Sequence, residues 1–298
     1  MSFISTSFGT PLVRLQRFAP GTALYAKVEM MLPSGSAYDR IAGPLLAACD
    51  DDRVVIAASG SPALAFAAAA APLKKKLTVV VPDKTLPEHL DLLGRYAVEV
   101  VRVPGELEKT HAVASTIEGT LLVSPKKPEL ARAAFSSSLG AELVEMIDDD
   151  GEKTVLVSPL NGGELLFGVA DAFVAAGRPV ETVGTVRCEQ AEVSVQDGVV
   201  RGSSAPKGAT RVVCVLDPEA YETRIELARK EGILVGMGSA AAARVARDEA
   251  SEGARVISIV VDAGDRYFSV DRKFGGSREH HGNHGSNSDA PQEVHGGA

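Results

Sequence analysis

Leu32-Pro33-Ser34-Gly35-Ser36-Ala37-Tyr38-Asp39-Arg40 is the stretch on which the reading of this chain turns. It is a Pro/Gly/Ser loop that runs into Tyr38, Asp39 and Arg40. Tyr38 offers a phenol, which can donate a hydrogen bond or, at a pKa near ~10, act as a weak acid. It offers no amine. Its plainer use is to fill space with an aromatic ring whose hydroxyl finds a local partner. On both sides of this loop, β-rich apolar runs alternate with helix-like stretches. The expected strands are Ala23–Val28, Arg53–Ala57, Leu77–Val81, Val98–Val103, Thr120–Val123, Thr154–Val157, Val180–Val186, Arg211–Leu216 and Val256–Val261. The expected helices are Pro62–Ala71, Pro128–Ile147, Gly163–Ala176, Pro218–Glu231 and Ser239–Ala250. Strands that are apolar throughout, separated by helices, predict α/β architecture with mainly parallel sheets covered on both faces.

The chain has 298 residues, 45% of them hydrophobic, enough for one large core or two moderate ones. A net charge of -8 with scattered Lys and Arg carries no nucleic-acid footprint. The first residues have neither a basic n-region nor an apolar h-region, so no secretory leader is expected. The alanine-rich run Ala63–Ala71 is too short to span a bilayer. Cys49, Cys188 and Cys214 lie far apart without a Cys-x-x-Cys pair and are expected to be reduced packing residues in the cytoplasm. The acidic turn Asp148-Asp149-Asp150-Gly151 marks a boundary. Residues 275–298 are rich in Gly, Ser, Asn and His, with His280, His281, His284 and His295, and are expected to be a disordered tail without a metal role.

Several segments, in order, resemble the cysteine synthase and cystathionine beta-synthase family. These are fold type II enzymes that use pyridoxal 5'-phosphate, within the tryptophan synthase beta-like superfamily. Thr10-Pro11-Leu12-Val13-Arg14-Leu15 and Tyr25-Ala26-Lys27-Val28-Glu29 resemble its entry segment. Glu231-Gly232-Ile233-Leu234-Val235-Gly236 resembles a late strand, and Asp262-Ala263-Gly264-Asp265-Arg266-Tyr267 its closing Asp-Gly-Gly-Glu-Arg-Tyr. The resemblance implies a larger α/β domain from residues 1–40 and 149–274, a smaller one from 41–148, a cleft between them and a homodimer. It also implies that position 38 should be the lysine that forms an imine with the cofactor.

Four loops depart from the family where it touches the cofactor. At the first, Tyr38 replaces the lysine, so imine activation and an acid–base group worth on the order of 10²–10⁴-fold are both missing. At the second, Ser59-Gly60-Ser61-Pro62 stands where the family has Ser-Gly-Asn-Thr for the substrate carboxylate. Ser61 replaces the asparagine, and Pro62 lacks an N–H. Ser61 reads as an N-cap with Pro62 at N1, while Ser59 and Gly60 keep part of an anion nest. At the third, Asn161-Gly162-Gly163-Glu164 stands in the family's phosphate loop. Glu164 brings a negative charge that would oppose a phosphate by roughly 4 kcal/mol at ~4 Å and an effective dielectric near 20. Asn161 and Glu164 also have capping-box spacing. At the fourth, Ser239 sits at the position facing the pyridine nitrogen and reads as the N-cap of the last long helix.

The first reading is a cysteine-synthase-like pseudoenzyme without imine catalysis and with no cofactor. It would bind a small anionic metabolite at Ser59, Gly60 and Ser61, or a partner peptide in the cleft. The alternative is an active pyridoxal 5'-phosphate enzyme of β-replacement type, a lyase or transferase that makes cysteine or cystathionine from an activated serine. A third reading is an enzyme without that cofactor on the same fold, using Tyr38, Asp39 and Glu164 beside Arg40. Asp39 and Arg40 are expected to form a framework ion pair, and His89 and His111 to be surface or loop residues. No nucleic acid, membrane or metal partner is expected.

Overall fold

The computed structural model describes residues 9–105, 107–123, 128–188, 195–196, 199–200, 211–251 and 253–275. The tail histidines lie outside the described residues. The strands are β1 (Leu12–Arg14), β2 (Ala23–Val28), β3 (Arg53–Ala57), β4 (Lys76–Pro82), β5 (Glu99–Val103), β6 (Thr120–Val123), β7 (Thr154–Pro159), β8 (Val180–Cys188), β9 (Val195–Gln196), β10 (Val199–Val200), β11 (Arg211–Leu216) and β12 (Arg255–Val260). The helices are α1 (Asp39–Ala47), α2 (Gly60–Ala70), α3 (Pro87–Leu93), α4 (Leu107–Ala114), α5 (Pro128–Phe135), α6 (Ala141–Met146), α7 (Glu164–Ala175), α8 (Asp217–Glu231), α9 (Met237–Ser251) and α10 (Phe268–Gly275).

One sheet runs β1-β2-β12-β7-β8-β11, and a second runs β5-β4-β3-β6. Every pairing in these two sheets is parallel except β1 with β2, an antiparallel edge. The apolar strands make this necessary: β7 is buried along its whole length, so helices must cover both faces. α7 lies on one side of the first sheet and α9 on the other, in two different apolar clusters. α2 is built mostly of alanine, and its buried residues are Ser61 and the run from Ala63 to Ala70. Small side chains let it pack closely against α1 and the second sheet while keeping high helix propensity.

Three expectations about the framework are corrected. The helix expected over Pro128–Ile147 is broken by a π-helical turn at Ser136–Gly140. At that turn Gly140 passes so close to α7 that a β-carbon would meet Ala172 Cβ at 2.6 Å. Cys188 and Cys214 are joined as a disulfide between the adjacent strands β8 and β11, with Cα atoms 6.0 Å apart, rather than reduced. Asp39 and Arg40 do not pair with each other. Arg40 Nε and Nη2 grip Glu29 at 2.5 and 2.9 Å, and Nη2 also meets Glu142 at 2.9 Å. Lys27 joins the same carboxylate of Glu142. Arg40, Lys27 and Glu29 are fully buried, where only paired charges are tolerable.

Candidate functional site at the seam of the two sheets

The loops that follow β3, β7 and β12 leave the carboxyl ends of parallel strands, the usual place for a site in such folds. They meet one another and the 33–40 loop. Tyr38 immediately precedes α1, and its ring stands edge-on to Phe135, 6.3 Å between centroids. Asn161 Nδ2 donates to its hydroxyl at 2.8 Å. Burial, with the charges of Glu164 and Asp262 added, pushes the phenol well above its usual range. Tyr38 is therefore neutral and occupied by a protein partner.

Asn161 is held in the left-handed region at φ 43°, an uncommon conformation outside glycine. The capping box expected between Asn161 and Glu164 is not formed. Gly163, at φ 87°, is the residue before α7, and Glu164 is the first helical residue. Its carboxylate folds over Gly162, where any β-carbon would collide with it, and accepts from its own backbone N–H. Burial raises its pKa. A protein carboxylate thus lies at the positive end of the α7 dipole.

Asp262, 6% exposed, is the hub of the seam. Ser61 Oγ donates to its Oδ2 at 2.7 Å, Tyr267 Oη to the same oxygen at 2.5 Å, and Ser239 Oγ to Oδ1 at 3.3 Å. Ser239 Oγ also accepts from Val261 N at 2.9 Å. Two expected caps are corrected here. α2 begins at Gly60 after Ser59, so Ser61 is inside the helix, and its hydroxyl serves Asp262. α9 begins at Met237, so Ser239 is inside its first turn. Ser59 makes no side-chain cap bond.

Sequence reasoning missed Asp262 as a hub and misplaced His89. His89 is 4% exposed, edge-on to Tyr267 at 5.4 Å, and packed over Gly60. Asp39 accepts from Ser34 N at 2.7 Å through Oδ2, and burial raises its pKa to about 6. Arg40 is turned away into the Glu29 and Glu142 cluster, so it is not beside the acid–base groups expected with it. His111 is on α4. Among the described residues no group of three His, Cys, Asp or Glu could hold a metal ion, and no helix is long and apolar enough to cross a membrane.

A family model described as pyridoxal-phosphate dependent enzyme matches residues 5–262. A probable cysteine synthase of Bacillus subtilis is 29% identical over 293 residues, 88% of this chain and 94% of that protein. Cysteine synthase B of Salmonella typhimurium is 30% identical over 287 residues, 88% of this chain and 92% of that protein. Among solved structures, an O-acetylserine dependent cystathionine beta-synthase from Helicobacter pylori superposes with a TM-score of 0.75 at 23% identity, covering 90% of this chain and 97% of that one. A lysine-to-alanine variant of O-ureido-L-serine synthase, bound to O-ureido-L-serine, gives 0.79 at 24% identity, covering 93% and 94%.

These matches correct the expectation that no cofactor belongs here: the family model and the cysteine synthase relatives point to pyridoxal 5'-phosphate. What does not fit is the covalent anchor at position 38. Tyr38 has no amine, and Asn161 holds its hydroxyl. At the position resembling the phosphate loop stands the Glu164 carboxylate. With 258 consecutive residues matched, and with relatives and fold neighbours in agreement, the chain belongs to the pyridoxal-phosphate dependent enzyme family and, within it, is cysteine synthase-like.

Proposed function

We propose that this chain is a cysteine-synthase-like protein that does not perform imine catalysis through position 38 and acts by binding a small anionic metabolite in the cleft. The observation that carries this reading is the Tyr38 phenol, bonded to Asn161 Nδ2 at 2.8 Å where an amine would be required. The anion would sit at Ser59, Gly60 and Ser61, on the amino end of α2, where backbone N–H groups and the helix dipole favour negative charge. A partner peptide entering the same cleft is the other occupant. The protein would work in the cytoplasm as a homodimer, with residues 41–148 forming the smaller domain around the second sheet.

The alternative is a working β-replacement enzyme, and the identity to cysteine synthases favours it. Borohydride reduction of the purified protein after incubation with pyridoxal 5'-phosphate, followed by peptide mapping, separates the two. The first reading expects no lysine peptide carrying the reduced cofactor and no cysteine formed from O-acetylserine and sulfide. A single labelled lysine together with turnover would overturn it. The anion itself is tested by thermal shift, where a ligand of the folded state raises the melting temperature.

A further inference from the structure

The disulfide of Cys188 and Cys214 lies beside the strand residues that hold the seam. Cys188 is the last residue of β8, and Cys214 comes shortly before the end of β11. In the parallel register Val186 faces Cys214 and Cys188 faces Leu216, so the bond runs diagonally across the carboxyl ends of the two strands. β11 is the edge of that sheet, with β8 beside it. Its amino end is held by Arg211, which pairs with Glu249 and, at 3.9 Å, with Glu181. Its carboxyl end is held by the disulfide and by Arg187 Nη1 on Asp217 at 2.8 Å. The preceding residues of β8 carry the seam. Leu160 N donates to Thr185 O at 2.9 Å, and the Leu160 side chain lies on Gly184, where a β-carbon would meet its Cδ1 at 2.7 Å. Side chains alternate along a strand, so Gly184, Val186 and Cys188 share one face. That face meets the apolar cluster that contains Leu160 and against which Val186 packs. Leu160 opens the turn that carries Asn161, whose Nδ2 reaches the Tyr38 hydroxyl. A short run of strand and two hydrogen bonds therefore link Cys188 to Tyr38.

We propose that Cys188–Cys214 is a redox switch opened by a dithiol: oxidised, it fixes the carboxyl ends of β8 and β11 and with them the Leu160–Gly163 turn and the Asn161–Tyr38 bond; reduced, it lets that turn open. The inference holds whichever ligand the cleft takes. The two sulfurs are not equally open, since Cys188 is 6% exposed and Cys214 only half-buried. A disulfide at a sheet edge with one accessible sulfur is open to exchange in the folded state. The dithiol's thiolate attacks Cys214 Sγ. The sulfur–sulfur bond breaks, and its electron pair leaves on Cys188 Sγ, which takes up a proton. The dithiol's second thiolate then attacks its own sulfur in the mixed disulfide, and Cys214 departs as a thiolate and is protonated. Two electrons and two protons pass to the chain, and the dithiol becomes a disulfide. The resolving thiol belongs to the reductant, so the free Cys49 takes no part. The parallel ladder and the Arg187–Asp217 pair remain after reduction, so the strand ends loosen without separating. Such an edge responds by local opening, not by global unfolding.

The test compares the folded full chain before and after treatment with dithiothreitol, without denaturant. Alkylation and peptide mass mapping count the thiols, and amide hydrogen exchange at short labelling times reads local opening. Reduction is expected to make Cys188 and Cys214 alkylatable. It should speed exchange about tenfold in the peptides that span Leu160–Gly163 and β11, with a smaller change in β3 and β4. Cys188→Ser with Cys214→Ser should show the reduced pattern without any reductant, and Cys49→Ser should leave both patterns as they are. If the double serine variant does not fold, the wild type with and without dithiothreitol decides alone. A disulfide that stays closed in the folded chain is a structural cross-link and overturns the switch. So does a reduced chain in which the Leu160–Gly163 turn exchanges as before, because the strand ends are then not coupled to it. A rise of equal size in β3 and β4 marks a general loss of stability and overturns it as well.

Discussion

Removing the Asp262 carboxylate should loosen the seam more than any other single change there. In Asp262→Ala, Ser61 Oγ and Tyr267 Oη lose acceptors at 2.7 and 2.5 Å, and Ser239 Oγ loses a longer one at 3.3 Å. Hydrogen bonds to a charged acceptor contribute about 1.5–3 kcal/mol each, and buried donors left unpaired add to the loss. The two short bonds dominate, so the expected destabilisation is about 4 kcal/mol. For a chain of 298 residues that is a fall of about 6 °C in the melting temperature. Thermal unfolding followed by circular dichroism reads it directly. Asp265→Ala is the control: that side chain is 72% exposed and should shift stability by no more than about 0.5 kcal/mol. A cycle with Ser61→Ala tests the contact across the seam and should show a coupling of about 1–2 kcal/mol. If Asp262→Ala costs less than about 1 kcal/mol, or if the two changes add within about 0.5 kcal/mol, the hub described here does not hold the sheets together.

Arg40→Met should cost about 3–5 kcal/mol in chemical denaturation, because it strands the Glu29 carboxylate without its bidentate partner in a fully buried site. The double change Arg40→Met with Glu29→Met should recover most of that loss. Cys188→Ser with Cys214→Ser should lower stability by about 3.5 kcal/mol, the loop-closure value for a separation of 26 residues. The same pairing predicts one reactive thiol, Cys49, in the unfolded, unreduced protein, and three after reduction, by thiol titration. Asp39 titrates at about 6 in the folded chain against a usual 3.8, raised chiefly by burial. The folded state therefore holds its proton more tightly. The Asp39 contribution to stability is full below pH ~4, declines as pH rises through 6, and is lower by about 3 kcal/mol at neutral pH. Asp39→Asn keeps an acceptor for Ser34 N and should remove that decline.

The sheets were readable because β-branched runs bounded by turn signals announce buried parallel strands. Ala23–Val28, Arg53–Ala57, Thr120–Val123 and Arg211–Leu216 begin and end where the apolar runs do. α1 was hidden, since Gly43 and Pro44 lie inside it and weigh against helix locally, while burial of Ile41 and Leu46 decides in its favour. The capping-box spacing of Asn161 and Glu164 misled because Gly163 takes a left-handed conformation. That removes the regular turn on which the spacing depends and frees Asn161 for Tyr38. The disulfide and the Asp262 hub join residues 26 and up to 201 positions apart. Only strand register and the meeting of the sheets bring them together, and neither is written in a local pattern.

The polar groups that resemble ligand-binding positions share one property. Asn161 serves Tyr38, Ser61 and Ser239 serve Asp262, and Glu164 folds onto its own helix end. Each is already engaged with a protein group, and the Ser61 and Ser239 bonds to Asp262 also hold the seam together. A ligand that displaced one of them would have to replace a hydrogen bond already made, and gains only the difference.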